Sequence, residues 1–508
     1  MKLVNLSIAA AAACLFATSA HALKSEDRDV KQNYVVEYTK VPGAVNSFSE
    51  MFTEGEVYGR IRSNNFFWDW DKELTAKTAD NKMMGLGGSL LYKTGFLNGF
   101  GATAGFYGTT QLLGDNKDGH STTVNYGKAG KDTYHTRADG TEGGMGNFAE
   151  AFLEYKAGKT NAKVGRQGID SIMIATNDTK MIPNTFEAAV IENKDIPDTT
   201  VRAGYIMSQK LRDHQSFHSL IASGADHATL STDKIAFNDD SGTHKGLSAR
   251  NIRTKGVGDI DPEMILLTAS NKSIPNLKLD AEYIGLKGFF NTAIAEANYQ
   301  IALGDGWTLT PGVRYLNQMD DGAGVIGGAS LNGGVTANGA TKGYTDGNNA
   351  DGSILMERLV LAKGPFALMA GYSKVSDDAD IIAPWRGFPT GGYTRSMAQI
   401  NWVANTKSWM VKADYDFGKA GLIPGFKAFV DYADMDFDDN KVRLLGTDFS
   451  DRNILHVDLV QEFKAIPNAD FRFRFATINA DPATKTSSNR STDYESYNEY
   501  RFEVNYLF

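Results

Sequence analysis

Arginine occupies alternate positions at two places in this chain, Arg60 with Arg62 and Arg472 with Arg474, and a further arginine, Arg501, lies in its last nine residues. In an extended strand, residues i and i+2 share a face. Each pair would therefore present two guanidiniums side by side. A guanidinium stays charged and offers no nucleophile or base, but its planar fork of donors suits carboxylates and phosphates. Arg202, Arg314, Lys412 and Lys427 hold the same phase in other alternating stretches. So do the acidic residues Asp458, Glu462, Glu499 and Glu503. The pattern fits either a row of sites for anions or a wall of ion pairs, and the sequence leaves both open.

The elements that would position these side chains are visible at the carboxyl end. From Tyr500 to Phe508, residues Tyr500, Phe502, Val504, Tyr506 and Phe508 fall on one face and Arg501, Glu503 and Asn505 on the other. One face suits hydrocarbon and the other water, as in a closing strand of a transmembrane β-barrel. On the preceding strand Phe471, Phe473 and Phe475 point outward, which turns Arg472 and Arg474 inward. Closure makes the first strand, near Glu54 to Ser63, the neighbour of the last and adds Arg60 and Arg62. A lipid-facing arginine at mid-membrane would cost roughly 2–4 kcal/mol, so the inward phase is physically required.

Alternating segments recur along the chain, and with the first strand they number about eighteen, each near the 9–11 residues that a tilted spanning strand needs. Short connectors rich in Gly, Asn or Pro alternate with long ones rich in Gly, Asn, Asp and Ser, such as 111–146 and 207–262. Four of the short ones carry Ile-Pro, at Ile196, Ile274, Ile423 and Ile466. Short turns belong at the periplasmic rim and long loops outside. That parity assigns Arg395 to Ala404 to a loop, although its composition would allow a strand. A hidden hairpin around Leu230 to Phe237 would preserve parity and add two strands.

The remaining features bound the class. Lys2, the apolar run Leu3 to Phe16 and Ala20-His21-Ala22 predict a signal peptide over 1–22. Residues 23–53 read as a polar periplasmic lead-in, partly helical around Ala44 to Met51 and too short for a plug domain; residues 54–508 read as the barrel. Cys14, the only cysteine, falls within the signal, so no disulfide or thiol chemistry is expected. No long apolar run follows the signal, which excludes a helical membrane protein. The formal charge of -9 argues against a nucleic-acid partner. Neither a metal nor a cofactor is expected: Asp434, Asp436 and Asp438 begin like a calcium loop but lack its glycine and closing glutamate. His214 and His218 lack a supporting glutamate motif.

Several stretches resemble the OprD-type substrate-specific porins. They are Gly165-Arg166-Gln167, then Ile182-Pro183-Asn184-Thr185-Phe186-Glu187 and Ile196-Pro197, and later Ser408-Trp409, Asp414-Tyr415-Asp416-Phe417, Gly421 and Pro424-Gly425-Phe426. The resemblance spans most of the chain after the signal. It implies an eighteen-stranded antiparallel barrel in a Gram-negative outer membrane, narrowed by inward loops and lined by basic side chains that guide carboxylate-bearing solutes. The loop matching the family's inward loop is Ile169 to Asn184, whose charged candidates are Asp170, Asp178 and Lys180; Trp385 to Tyr393 is the second candidate. The expected partners are outer-membrane lipid, lipopolysaccharide and small solutes, for a monomer or homotrimer. The rival readings are a general diffusion porin, a hydrolase using a histidine such as His456, and a surface adhesin.

Overall fold

Period-two alternation of apolar and polar residues yields long strands here because each has two solvents to satisfy, lipid outside and water or loop inside. The computed structural model describes residues 28–31, 33–72, 80–115, 133–134, 143–212, 214–221, 247, 252, 255–256, 258–259, 261–330, 343–383, 385, 387–397, 399–441, 450–481 and 496–508. Its spanning strands are β1 (Glu56–Trp70), β2 (Asn81–Lys93), β3 (Phe100–Asp115), β4 (Gly144–Ala157), β5 (Thr160–Gln167) and β6 (Thr185–Asn193). Next come β7 (Thr199–Lys210), β8 (Met264–Asn271), β9 (Leu277–Leu286), β10 (Phe290–Tyr299), β11 (Trp307–Asp320) and β12 (Gly352–Lys363). The last six are β13 (Phe366–Val375), β14 (Lys407–Asp416), β15 (Phe426–Asp436), β16 (Arg452–Glu462), β17 (Ala469–Ala480) and β18 (Tyr497–Leu507).

Each of the eighteen pairs antiparallel with its sequence neighbours, and β18 closes on β1. The expected count and order hold. β1 runs to Trp70, seven residues past its sequence-based end, because Asn64 to Trp70 continue the ladder with β18. Among its described residues, Arg395 to Ala404 forms no strand, as parity requires. The signal peptide and the hairpin considered around Leu230 to Phe237 lie outside the described residues.

The Ile-Pro turns explain the short connectors. Proline presets the first central residue of a tight turn, and the next must take positive φ, which suits Asn, Asp or Gly. Those positions are Asp198, Asn276, Gly425 and Asn468, at φ 53°, 64°, 73° and 70°. In each, the following N–H donates to the isoleucine carbonyl, as from Thr199 to Ile196 at 3.1 Å and from Ala469 to Ile466 at 3.2 Å.

Closure is sealed at the carboxyl terminus. Gly59 donates to the Phe508 carbonyl at 2.7 Å, and Phe508 returns a bond to the Gly59 carbonyl at 2.9 Å. A Cβ on Gly59 would lie 2.1 Å from the tip of the Phe508 ring, so any other residue would make that ring move aside. Before β1, the helix α1 (Phe48–Thr53) is capped by Ser47, whose hydroxyl accepts from the Glu50 N–H at 3.3 Å.

The core of this protein lies inside the barrel. Met173 and Ile174 of the loop after β5 pack with Ile382, Trp385 and Trp402 of the loop after β13, and Phe290 of the wall joins them. The Trp385 indole donates to the Met173 carbonyl at 2.8 Å. Conversely, Leu153, Phe473 and Phe502 are exposed on the outer face.

Candidate functional site

Strand phase and register bring the arginines of β1, β17 and β18 together. Across β17 and β18, Arg474 stands opposite Arg501 and Arg472 opposite Glu503; across β18 and β1, Asn505 stands opposite Arg62. All five guanidinium residues, Arg60, Arg62, Arg472, Arg474 and Arg501, are buried within the lumen. Each meets a carboxylate. Arg472 donates to both Asp458 oxygens through Nε, at 2.6 and 2.9 Å, and Arg474 Nε reaches the same group at 2.8 Å. Arg501 Nε donates to Glu499 at 2.5 Å.

The loop between β5 and β6 supplies the counter-charge for the other pair. Asp178 accepts from Arg60 Nη1 at 2.8 Å and from Arg62 Nη1 at 2.9 Å, one oxygen to each. Neighbouring Lys180 lies over the Phe66 ring at 4.4 Å, and Arg501 lies over that ring at 5.2 Å. Asp170 anchors the loop's start by accepting the Thr176 N–H at 2.7 Å, and burial raises its pKa above the usual aspartate range.

One residue at the centre was not anticipated. Tyr34 belongs to a hairpin formed by Arg28–Val30 and Val36–Tyr38, within the segment read as a lead-in. Its ring lies 4.5 Å from the Arg472 guanidinium carbon, 5.1 Å from Arg62, 5.3 Å from Arg474 and 5.8 Å from Arg60. Its carbonyl accepts from Arg60 Nη1 at 2.8 Å. Cation–π contacts contribute about 0.5–2 kcal/mol each, depending on desolvation. They oppose the strain of a tyrosine at φ 66°, of order 1–3 kcal/mol. Burial pushes the Tyr34 phenol well above its ordinary range, so the ring stays neutral.

The remaining predicted residues lie in separate groups. Arg202 donates to Glu192 at 3.0 Å and to the Asp170 carbonyl at 2.8 Å. Arg314 donates to Glu296 at 2.6 Å, and both it and Arg358 lie 4.6 Å from the Tyr393 ring. Lys412 pairs with Asp414 at 3.1 Å. Lys427 and Glu462 line a cavity of about 740 Å³ with Asp458 and Arg472. Sequence reasoning missed Glu282, Glu296 and Arg358, though strand phase would have found them. Glu282 accepts from the Ile172 and Met173 N–H groups at 2.7 and 3.0 Å and so holds the inward loop to the wall. Nothing in the sequence marks Tyr34.

Among the described residues no group of three or more histidine, cysteine, aspartate or glutamate side chains could hold a metal ion. His456 shares Asp431 with Ser396: the imidazole Nδ1 lies 2.9 Å from one carboxylate oxygen and the Ser396 hydroxyl donates to the other at 2.5 Å. The serine therefore binds the acid and not the base, contrary to the order that activates a nucleophile.

A closed antiparallel barrel of eighteen spanning strands, with loops folded into a charged lumen, defines an outer-membrane channel. The family model for "outer membrane porin, OprD family" matches residues 51–508, and the chain belongs to that family. No curated protein matches it. Among solved structures it is similar to OpdQ of Pseudomonas aeruginosa, at 18% identity and TM-score 0.63, covering 91% of this chain and 99% of that one. It is similar to OccAB1 of Acinetobacter baumannii, at 18% identity and TM-score 0.65, covering 89% and 96%. It is also similar to Pseudomonas aeruginosa OpdK in a crystal structure with vanillate, at 15% identity and TM-score 0.59, covering 89% and 98%. At these identities the structural likenesses speak for the fold. The protein is a porin of the Gram-negative outer membrane, through which small solutes pass.

Proposed function

We propose that this porin favours small carboxylate-bearing anions, which pass the guanidiniums of Arg60, Arg62, Arg472 and Arg474, with the loop carrying Asp170, Asp178 and Lys180 as the constriction. The observation that carries this reading is the convergence of those four guanidiniums on one ring position in the lumen. Nη2 of Arg60 is buried there with no hydrogen-bond partner among the described residues, and Nη2 of Arg62, also without one, lies 3.9 Å from a Glu503 oxygen. A solute carboxylate would supply the missing acceptors, and charge-assisted bonds of this kind are stronger than neutral ones. The vanillate bound to OpdK, an aromatic carboxylate, is compatible with such a preference here.

The specific rival is a general porin in which each arginine is balanced by an acid, as the pairing with Asp178, Asp458 and Glu499 suggests. Fixed charges of both signs would then create a transverse field with little net selectivity. Reversal potentials in planar bilayers distinguish the two. An anion preference that falls in Arg472→Ala combined with Arg474→Ala supports the selective reading. Unchanged selectivity, or no inhibition of current by organic acids, leaves the general porin.

A further inference from the structure

The geometry points to a role for the amino-terminal hairpin: the paired strands Arg28–Val30 and Val36–Tyr38 carry a tethered plug whose tip, Tyr34, competes with permeating solutes for the arginine cluster. This inference rests on the proposed passage of carboxylate-bearing solutes past the arginines.

The hairpin tip is bonded to both the wall and the constriction loop. Arg60 Nη1 donates to the Tyr34 carbonyl at 2.8 Å, Asn33 Nδ2 donates to the Thr176 carbonyl at 3.0 Å, and the Asp178 N–H donates to the Asn33 carbonyl at 3.0 Å. Tyr34 is only 1% exposed. It thus occupies the place where the guanidiniums converge, with a ring against their faces and a carbonyl oxygen on one of their donors. A solute carrying a carboxylate needs those same donors.

The depth of insertion gives this competition a consequence for flow. β1 begins at Glu56, and Arg62 lies six residues further, roughly 20 Å along the strand at about 3.3 Å per residue. With the tilt of barrel strands, that is near the middle of the membrane. The 740 Å³ cavity beside the hairpin is lined by Arg28, Lys31 and Tyr34 on one side, and by Lys427, Asp458 and Arg472 on the other. The hairpin therefore stands in the lumen beside that cavity.

Its construction suits an element that withdraws. A three-residue pairing, Val30 with Val36 at the tip end and Arg28 with Tyr38 at the base, is too small to be stable alone. Its exposed Lys31–Glu37 ion pair, at 2.8 Å, adds little. The lumen contacts hold it folded. Its base is anchored separately at the rim, where the Tyr38 and Tyr58 ring centroids are 4.2 Å apart and the Tyr58 hydroxyl donates to the Lys40 carbonyl at 2.8 Å. Release of the tip would leave the tether in place. The hairpin also precedes residue 51, where the family match begins, so it lies outside the part of the chain that the family model describes.

Planar-bilayer recording of the full-length protein tests this with two variants. Tyr34→Ala removes the ring and is expected to raise single-channel conductance roughly two-fold by widening the path. Asn33→Cys combined with Thr176→Cys puts thiols on two residues that the bond from the Asn33 side chain to the Thr176 carbonyl holds together, and Cys14 is the only native cysteine. Closing that pair with a short bis-methanethiosulfonate, from which each cysteine thiolate displaces methanesulfinate to form a reducible disulfide, should lower conductance below wild type, and a reductant should restore it. Wild-type conductance in Tyr34→Ala, together with indifference of the cysteine pair to cross-linking, would overturn the plug while leaving the porin intact. Absence of current from the wild type and from every variant would overturn both readings. A change in reversal potential confined to the Arg472 and Arg474 substitutions would separate the selectivity question from the gating one.

Discussion

At the scale of single residues, Asp178 ties the inward loop to two arginines of the wall. Its two oxygens hold Arg60 and Arg62 at 2.8 and 2.9 Å, and all three side chains are almost wholly buried. Breaking a buried pair costs more than the pair contributes, because the remaining charge has been taken from water without compensation. Asp178→Asn is accordingly expected to destabilise the barrel by about 3 kcal/mol, read as a lower temperature for the heat-induced gel shift. The same substitution removes a negative charge beside four arginines, so the reversal potential should move toward stronger anion preference. If neither quantity changes, the bridge is not what holds the loop. Strand phase made the arginines legible, since one face of β17 must be apolar and the other must not. It said nothing of which acid would meet which base: Asp178 comes from a loop, and loop paths have no period.

At the scale of elements, the two inward loops depend on each other. Gly387 lies against the backbone of the loop after β5, where a Cβ would come within 1.5 Å of the Met173 carbonyl oxygen. That same oxygen accepts the Trp385 indole bond. Gly387→Leu should therefore push the loops apart, with faster proteolysis at Arg395 from the extracellular side and noisier single-channel current as the measurable results. Wild-type cleavage and noise would show that the loops are held by the wall alone. Trp385 to Tyr393 is legible in the sequence as a second constriction candidate within a long loop, but its seat against Met173 is a long-range contact that no local pattern encodes.

At the scale of the whole molecule, closure is one event involving the two ends of the barrel sequence. Phe508 and Gly59 exchange backbone hydrogen bonds, and the phenylalanine ring occupies the space where any other residue at 59 would carry its Cβ. Gly59→Leu is expected to reduce the fraction of chain that reaches the folded, heat-modifiable form, because the last strand loses its seat before the ladder can zip. Measuring that fraction after refolding into detergent checks it, and an undiminished yield would mean the β18–β1 ladder suffices without the terminal ring. The cost falls on assembly, since an unclosed sheet leaves two edges exposed to lipid.

The sequence by itself determined the membrane solvent, the parity of turns and loops and the inward direction of the arginines, and it bounded the strand count near eighteen while leaving one further hairpin open. These follow from a period of two and from turn chemistry such as Ile-Pro followed by a residue at positive φ, which are local constraints that every strand must satisfy alone. Only the tertiary structure decided what stands in the lumen. The bridging of Arg60 and Arg62 by Asp178, the packing of Met173 against Trp385, and the placing of Tyr34 among four guanidiniums join residues far apart in the chain. No propensity specifies such contacts, because they depend on where closure brings separate segments together.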